Sequence, residues 1–269
     1  MARLTVLKLG GELLEEPSRV AAIARVVRQA SVRGPLVVVH GGGREIDRVL
    51  FAAGIAKLQV DGLRITDAAT LQVVVAVLGG TINTQFVAAL NAAKVKAVGL
   101  TGADASVAPV RRAAPHTSST GARVSLGHVG EPAGRTKPAL LLHLIKGGYV
   151  PVIASLSASA AGDLLNVNAD ALAADVAARL GAARLVFAGA TPGVLDTAGA
   201  TLPVVDRAMA RRMVASGEAS AGMVAKLAAG EKAVKAGVGD VRIADGRTPA
   251  GLTAALAGAL EPGSWTRIK

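Results

Sequence analysis

Twice within its first 43 residues the chain runs from an apolar, β-forming stretch straight into consecutive glycines. Leu4-Thr5-Val6-Leu7-Lys8-Leu9 leads into Gly10-Gly11, and Leu36-Val37-Val38-Val39-His40 leads into Gly41-Gly42-Gly43. The first reads as a short buried strand, the second as a strand buried on both faces of a parallel sheet. Glycine has no Cβ, so the backbone N–H groups of such turns can face a ligand closely. Lys8 stands one residue short of the first strand's end. An ammonium beside inward N–H groups is what a polyphosphate requires. Alone, the first stretch is no more than a strand ending in a tight turn near an incidental lysine. Its weight comes from what recurs downstream.

The rest of the chain alternates in the same way. Apolar periodicity predicts helices over 17–30, 44–53, 138–146, 171–180 and 222–235, a short one from Asp206, and a last one around 252–260. A further helical stretch is expected over 68–90, interrupted at Gly79-Gly80, with Asp67 as its cap. Strands are expected at 96–100, 149–154, 184–187 and 240–243. Residues 105–130, rich in Ser, Thr, Pro and Arg, read as a hairpin excursion or lid. Asn166-Val167-Asn168-Ala169-Asp170 reads as a polar knot before a helix. Strands alternating with helices through short glycine turns predict an α/β fold: three αβα layers around a mostly parallel central sheet. No Pro/Ser-rich linker divides the chain, so 1–269 is expected to be one domain with two functional halves, about 1–155 and about 156–269.

Composition narrows the function. There is no cysteine, hence no disulfide framework or thiolate chemistry, and the four histidines show no metal-ligand spacing. The net charge of +11 is spread singly or in pairs, and three Phe, one Trp and one Tyr leave little for stacking on bases. That pattern favours small anionic substrates over nucleic acid. No apolar run is expected to approach the length of a membrane span, and the N-terminus lacks a signal-peptide layout, so a cytoplasmic protein is expected. Neither the dinucleotide glycine fingerprint nor a P-loop is present.

The polar residues at predicted strand ends are Lys8, the glycines at 10–11 and 41–43, Arg64, Asn166, Asn168 and Asp170, joined by Lys226 near the start of a helix. Carboxyl ends of parallel strands share one crevice, so these groups can converge. The set holds cations and glycine turns but no histidine or cysteine nucleophile. Phosphoryl transfer suits it, because that chemistry needs positioning and charge neutralisation more than covalent help. In isolation Asp170 could equally cap the helix that follows it, Asn166 could be a turn residue, Arg64 a solvated charge and Lys226 a surface lysine.

Taken in order, the motifs resemble those of the amino acid kinase family, and within it the branch that phosphorylates acetylglutamate in arginine biosynthesis. They are Lys8-Leu9-Gly10-Gly11, His40-Gly41-Gly42-Gly43, Val60-Asp61-Gly62-Leu63-Arg64-Ile65-Thr66-Asp67, Gly127-His128-Val129-Gly130-Glu131, Asn166-Val167-Asn168-Ala169-Asp170, Pro192-Gly193-Val194-Leu195-Asp196, Gly222-Met223-Val224-Ala225-Lys226 and Asp245-Gly246-Arg247. Each is weak alone; their order and spacing over nearly the whole chain make the resemblance specific.

The resemblance implies that the N-terminal half binds N-acetyl-L-glutamate and forms a homodimer, while the C-terminal half binds ATP with Mg2+ held mainly by the phosphates. It implies Lys8, Lys226 and Asp170 as catalytic residues, the aspartate organising the two ammonium groups. Gly42, Gly43, Arg64, Asn166 and Asn168 would bind the acceptor, with Arg64 on its α-carboxylate. Gly10, Gly11, Thr191, Gly193, Ser220 and Met223, with both lysines, would bind the nucleotide. No protein metal site, nucleic acid or membrane partner is implied. Departures from the family pattern occur at Gly189-Ala190, which bears on nucleotide preference, and at Gln59, Arg44, Ala221 and Ala225. A related reading is a kinase whose glutamate or aminoadipate acceptor rides on an acidic carrier protein; the unbroken Val60–Arg64 stretch resembles the free-substrate type instead. Family members inhibited by arginine carry an extra N-terminal helix, which three residues before Leu4 cannot form, so arginine insensitivity is expected.

Overall fold

The computed structural model describes residues 3–258 and 265–269. In the first strand, Thr5–Leu9, side chains alternate between two apolar clusters. Val6 joins Val37, Val39, Ile153, Leu172 and Val176 on one face, whereas Leu7 and Leu9 join Val38, Ile23, Val27, Phe86 and Leu252 on the other. A strand buried on both faces needs cover on both. Helices Ala139–Lys146, Ala169–Leu180 and Ala221–Lys235 supply it on one side, and Pro17–Arg33, Asn83–Ala92 and Pro249–Ala257 on the other. The three αβα layers follow.

The central sheet has eight strands, in the spatial order 204–205, 265–268, 240–245, 184–189, 5–9, 36–40, 150–154 and 97–101. Every pairing is parallel except that of 240–245 with 265–268. Strand 5–9 lies at the junction. Strands from residue 184 onward lie to one side of it and those of residues 36–154 to the other. Lys8 stands opposite Val39 on one neighbour and Phe187 on the other, so it sits where the two series meet. A second sheet of four strands, Leu156–Ala158, Leu164–Val167, Val129–Pro132 and Val110–Arg112, covers the carboxyl ends on the 36–154 side. The 105–130 excursion thus contributes two of these strands and a separate hairpin, His116–Thr117 with Arg123–Val124.

Several expectations change. The segment 68–92 is not interrupted at Gly79-Gly80; the helix continues through a π-helical stretch, Val75–Ile82. That continuity makes Ala68–Ala92 a 25-residue helix which, by length and composition alone, is long and apolar enough to cross a membrane, contrary to the expectation that no such run exists. In this fold it is a core helix. Phe86 and Leu90 are buried against the sheet, and the buried Asn83 amide donates to the carbonyls of Leu100 at 2.9 Å and Val152 at 3.3 Å. The polar knot at 166–170 is the end of strand Leu164–Val167 followed directly by helix Ala169–Leu180, with Asn168 rather than Asp170 as the cap. Strands Val204–Val205 and Trp265–Ile268 were not anticipated. The last helix spans Pro249–Ala257, and the expected residues 259 and 260 lie outside the described residues.

Candidate active site

The site begins where strands 5–9 and 36–40 end. The Gly10 N–H donates to the Ala188 carbonyl at 2.9 Å and the Gly41 N–H to Leu9 at 3.3 Å, which anchors both turns to the sheet. The turns abut so closely that a Cβ on Gly11 would stand 2.5 Å from the Gly42 Cα. A Cβ on Gly42 would in turn stand 2.2 Å from Ile82 Cδ1 on the π-helical stretch. Side chains there would force the two turns apart. Gly42 precedes helix Gly43–Ala52, whose first N–H groups are left without intrahelical partners.

Asp170 lies in the first turn of helix Ala169–Leu180, and the Asn168 side-chain oxygen caps that helix by accepting from the N–H groups of Asp170 and Ala171 at 2.9 and 3.0 Å. The cap fixes the backbone that aims the Asp170 carboxylate back at the sheet. There it meets Lys8 Nζ at 2.9 Å and Lys226 Nζ at 3.6 Å. Both Lys8 and Asp170 are 5 % exposed. Burial pushes the Asp170 carboxyl upward, but the charges and hydrogen bonds of the two lysines outweigh that and hold it below the usual carboxylate range. Lys226 is pushed below the usual lysine range, first by burial and then by the Lys8 charge, against the attraction of Asp170 and Glu12. One carboxylate therefore organises two ammonium groups that would otherwise repel each other.

Arg64 closes the other end. It follows a two-residue hairpin turn in which Asp61 and Gly62 both have positive φ, 47° and 77°. Asp61 also accepts from Ser119 N–H at 2.9 Å and lies 2.7 Å from His116 Nε2, which ties this turn to the 116–124 hairpin. The Arg64 Nη2 donates to Asp47 and, at 3.2 Å, to the Gly43 carbonyl. Burial would raise the Asp47 carboxyl, yet hydrogen bonds from Lys57 and Arg64 lower it overall. Among the described residues, the Arg64 Nη1 is buried without a partner. A guanidinium held on one edge with a free donor on the other is prepared for an incoming carboxylate.

Lys8, Asp170 and Arg64 line one cleft of about 330 Å³, together with Gly10, Gly11, Glu12, Gly43, Asn166 and Asn168, whereas Lys226 reaches Asp170 from outside that lining. Asn166 donates from Nδ2 to Thr66 Oγ1 at 3.2 Å, and Asn168 spends its oxygen on the cap. Thr191, Gly193, Ser220 and Met223 do not line this cleft. A Cβ on Gly193 would press on Thr266 Oγ1 at 2.5 Å, so that glycine allows the 191–202 turn to close on the last strand. Ser220 is the residue before helix Ala221–Lys235, and its hydroxyl makes no capping bond; Met223 packs against the core. Glu12 and Asp47 were missed in the sequence. Glu12 stands directly after the glycine pair, a position that could have drawn notice.

The sequence profile of the amino acid kinase family matches residues 3–245. The chain belongs to the amino acid kinase family. Among curated family members, an acetylglutamate kinase from Solibacter usitatus is 38 % identical over 254 residues, which cover 94 % of this chain and 95 % of that one. An acetylglutamate kinase from Rhodopseudomonas palustris is 41 % identical over 250 residues, covering 91 % and 83 %. Among solved structures, smu.665 from Streptococcus mutans superposes with a TM-score of 0.79 at 25 % identity, covering 99 % of each chain. The amino acid kinase fold thus accounts for the sheet order and for the placement of the glycine turns around Lys8.

Proposed function

We propose that the chain transfers the γ-phosphoryl group of ATP to the γ-carboxylate of N-acetyl-L-glutamate, a step of arginine biosynthesis. The observation that carries this reading is the buried Asp170 carboxylate set between Lys8 and Lys226, at the edge of two glycine turns and across a cleft from the free Arg64 donor. The long acetylglutamate kinase relatives support the acceptor's identity.

In this reading the acceptor lies on the side of residues 1–155 and the nucleotide on the side of residues 156–269. Arg64 takes the acceptor's α-carboxylate, Asn166 its acetamido end, and Gly42 and Gly43 offer N–H groups to the γ-carboxylate. One γ-carboxylate oxygen forms the new bond to phosphorus while the bond from phosphorus to the β,γ-bridging oxygen breaks, giving an acyl phosphate and ADP. No base is required, because the attacking carboxylate is ionised at neutral pH. Lys8 and Lys226 neutralise charge on the transferring group and on the leaving diphosphate, and Asp170 keeps both in place. Thr191, Gly193, Ser220 and Met223 would act around the nucleotide outside the described cleft. Magnesium, arriving mainly on the phosphates, would add charge neutralisation there.

We further propose a cytoplasmic homodimer. Among the described residues, strand Ala97–Thr101 ends the central sheet, and an unpaired edge invites a symmetric partner. Light scattering tests the assembly.

The deciding experiment is a screen of acylated amino acids and glutamate with MgATP, read as ADP release. Release only with N-acetylglutamate is expected; equal release with other acceptors would sink the assignment. Arg64→Lys is expected to weaken the acceptor by roughly 1.5–3 kcal/mol, since lysine keeps the charge but cannot hold Asp47 and a carboxylate together. The KM for acetylglutamate should rise about 10- to 100-fold with little change in that for ATP. An unaltered acceptor KM would place Arg64 outside the pocket.

A further inference from the structure

Glu12 puts a second carboxylate where an anion site is expected to carry none. It lies in the single turn Gly11–Leu13 that follows the first glycine. Its oxygens stand 2.2 and 2.4 Å from the place a Cβ on Gly10 would occupy, and Oε1 stands 3.4 Å from the same place on Gly189. Strands 5–9 and 184–189 are neighbours, so the carboxylate bridges the ends of both. The methylene next to the Lys226 ammonium lies 3.7 Å from that Gly189 position, and the Glu12 charge acts on Lys226. Among the described residues, no hydrogen bond or ion pair holds the Glu12 carboxylate. Arg19 bonds only to its backbone carbonyl, at 3.0 Å.

The charge balance of the cleft makes this position consequential. Glu12 and Asp170 are the carboxylates among its lining residues, and Asp170 is committed to Lys8 and Lys226. Two ammonium groups against two carboxylates leave the phosphate end near neutrality before any ligand enters. A bare polyphosphate settling against the Gly10-Gly11 turn would meet Glu12 as a like charge at short range. A divalent cation on the phosphates reverses that sign. Magnesium characteristically takes one or two carboxylates in addition to substrate phosphates, either directly or through its waters, and Glu12 is the uncommitted hard oxygen donor at this end.

We propose that Glu12 makes nucleotide binding conditional on a divalent cation, repelling the metal-free nucleotide and receiving the metal-bearing one. The inference rests on the kinase reading given above. It assigns to this chain a selection step made before chemistry, by a residue outside the lysine–aspartate–lysine arrangement.

Calorimetric titration with ADP, in excess Mg2+ and in EDTA, tests it without turnover. The native protein should bind ADP at least roughly tenfold more tightly with Mg2+ than without. In Glu12→Gln that ratio should collapse by roughly tenfold, through tighter binding of metal-free ADP and weaker binding of the magnesium complex. Glu12→Ala should behave alike, and the half-buried position of Glu12 makes either change compatible with folding. A ratio unchanged in both variants, with magnesium–ADP still bound, overturns the role of Glu12 alone. If magnesium–ADP binds none of the three proteins, the kinase reading itself falls, and this inference with it.

Discussion

Lys8→Ala lowers kcat by roughly 10²- to 10³-fold while changing either substrate KM far less, and Lys226→Ala does the same to a similar order. The expectation follows from where the ammonium groups stand. Each is held by Asp170, at 2.9 and 3.6 Å, and so is oriented before substrate arrives. A fixed charge costs no reorganisation as the phosphoryl group moves, and its benefit is greatest when charge is spread over the transferring oxygens and the leaving diphosphate. Lys8 carries a structural duty as well. Removing it leaves the buried Asp170 carboxylate with Lys226 alone, and an uncompensated buried charge is destabilising. Thermal melting should accompany the steady-state kinetics, so that loss of fold is separated from loss of rate. Asp170→Asn supplies the complement: with the organising charge gone, the lysines repel each other, and the fall in kcat should persist in a folded protein. A folded Lys8→Ala variant with near-native kcat would remove Lys8 from the mechanism.

Much of this arrangement was legible in the sequence because its parts are local. The runs into Gly10-Gly11 and Gly41–Gly43 specify strand, turn and close approach within a few residues each, and the structure puts them in contact. Asp67 as a helix cap was equally local, and its carboxylate accepts from Thr70 N–H at 2.8 Å. What escaped depends on distant partners. The Gly79-Gly80 pair reads as a break by propensity, yet the helix runs through it because a continuous apolar face packs beneath the glycine turn at Gly42. Asn168 and Asp170 could not be assigned between cap and ion pair from spacing alone; the side-chain contacts make Asn168 the cap and set Asp170 against Lys8. Trp265–Ile268 is a strand by virtue of pairing with 240–245 and 204–205, not through any alternation of its own. Arg64 was found as a cation, but its buried free Nη1 arises from Asp47 and Gly43, which hold the other edge of the guanidinium.

The protein loses stability as pH falls from about 6.5 toward 4, and His40 accounts for most of the loss in that window. The residue ends strand Leu36–His40, is fully buried, and its Nδ1 lies 3.1 Å from the Gly41 carbonyl, leaving Nε2 without a partner among the described residues. Burial outweighs that backbone hydrogen bond and pushes the imidazole from 6.5 down to about 4. The unfolded chain therefore takes up a proton below pH 6.5 that the folded chain refuses until about pH 4. Between those values the unfolded state holds more protons, so stability rises with pH and falls on acidification. The difference of about 2.5 pKa units corresponds to about 3 kcal/mol when fully expressed, and to about 2.5 kcal/mol between pH 7 and 4.5. The aspartates held low, Asp170 and Asp47 among them, lose their contribution only as pH falls below the ordinary value of 3.8, whereas Glu45 and Glu231, also held low, begin to lose theirs near 4.5, at the acid end of this window. Asp175, raised by burial, holds its proton more readily in the folded chain than in the unfolded one and acts in the opposite sense. A His40→Leu variant isolates the imidazole, since it keeps the apolar surroundings filled and shares every carboxylate. Urea midpoints at pH 7 and 4.5 should separate by about 2.5 kcal/mol more in the native protein than in the variant. Equal pH slopes in the two proteins would mean that His40 gains its proton in the folded state as readily as in the unfolded one. The turn that carries Gly41 to Gly43 would then have to open in mild acid, bringing the acceptor end of the cleft apart before the fold as a whole.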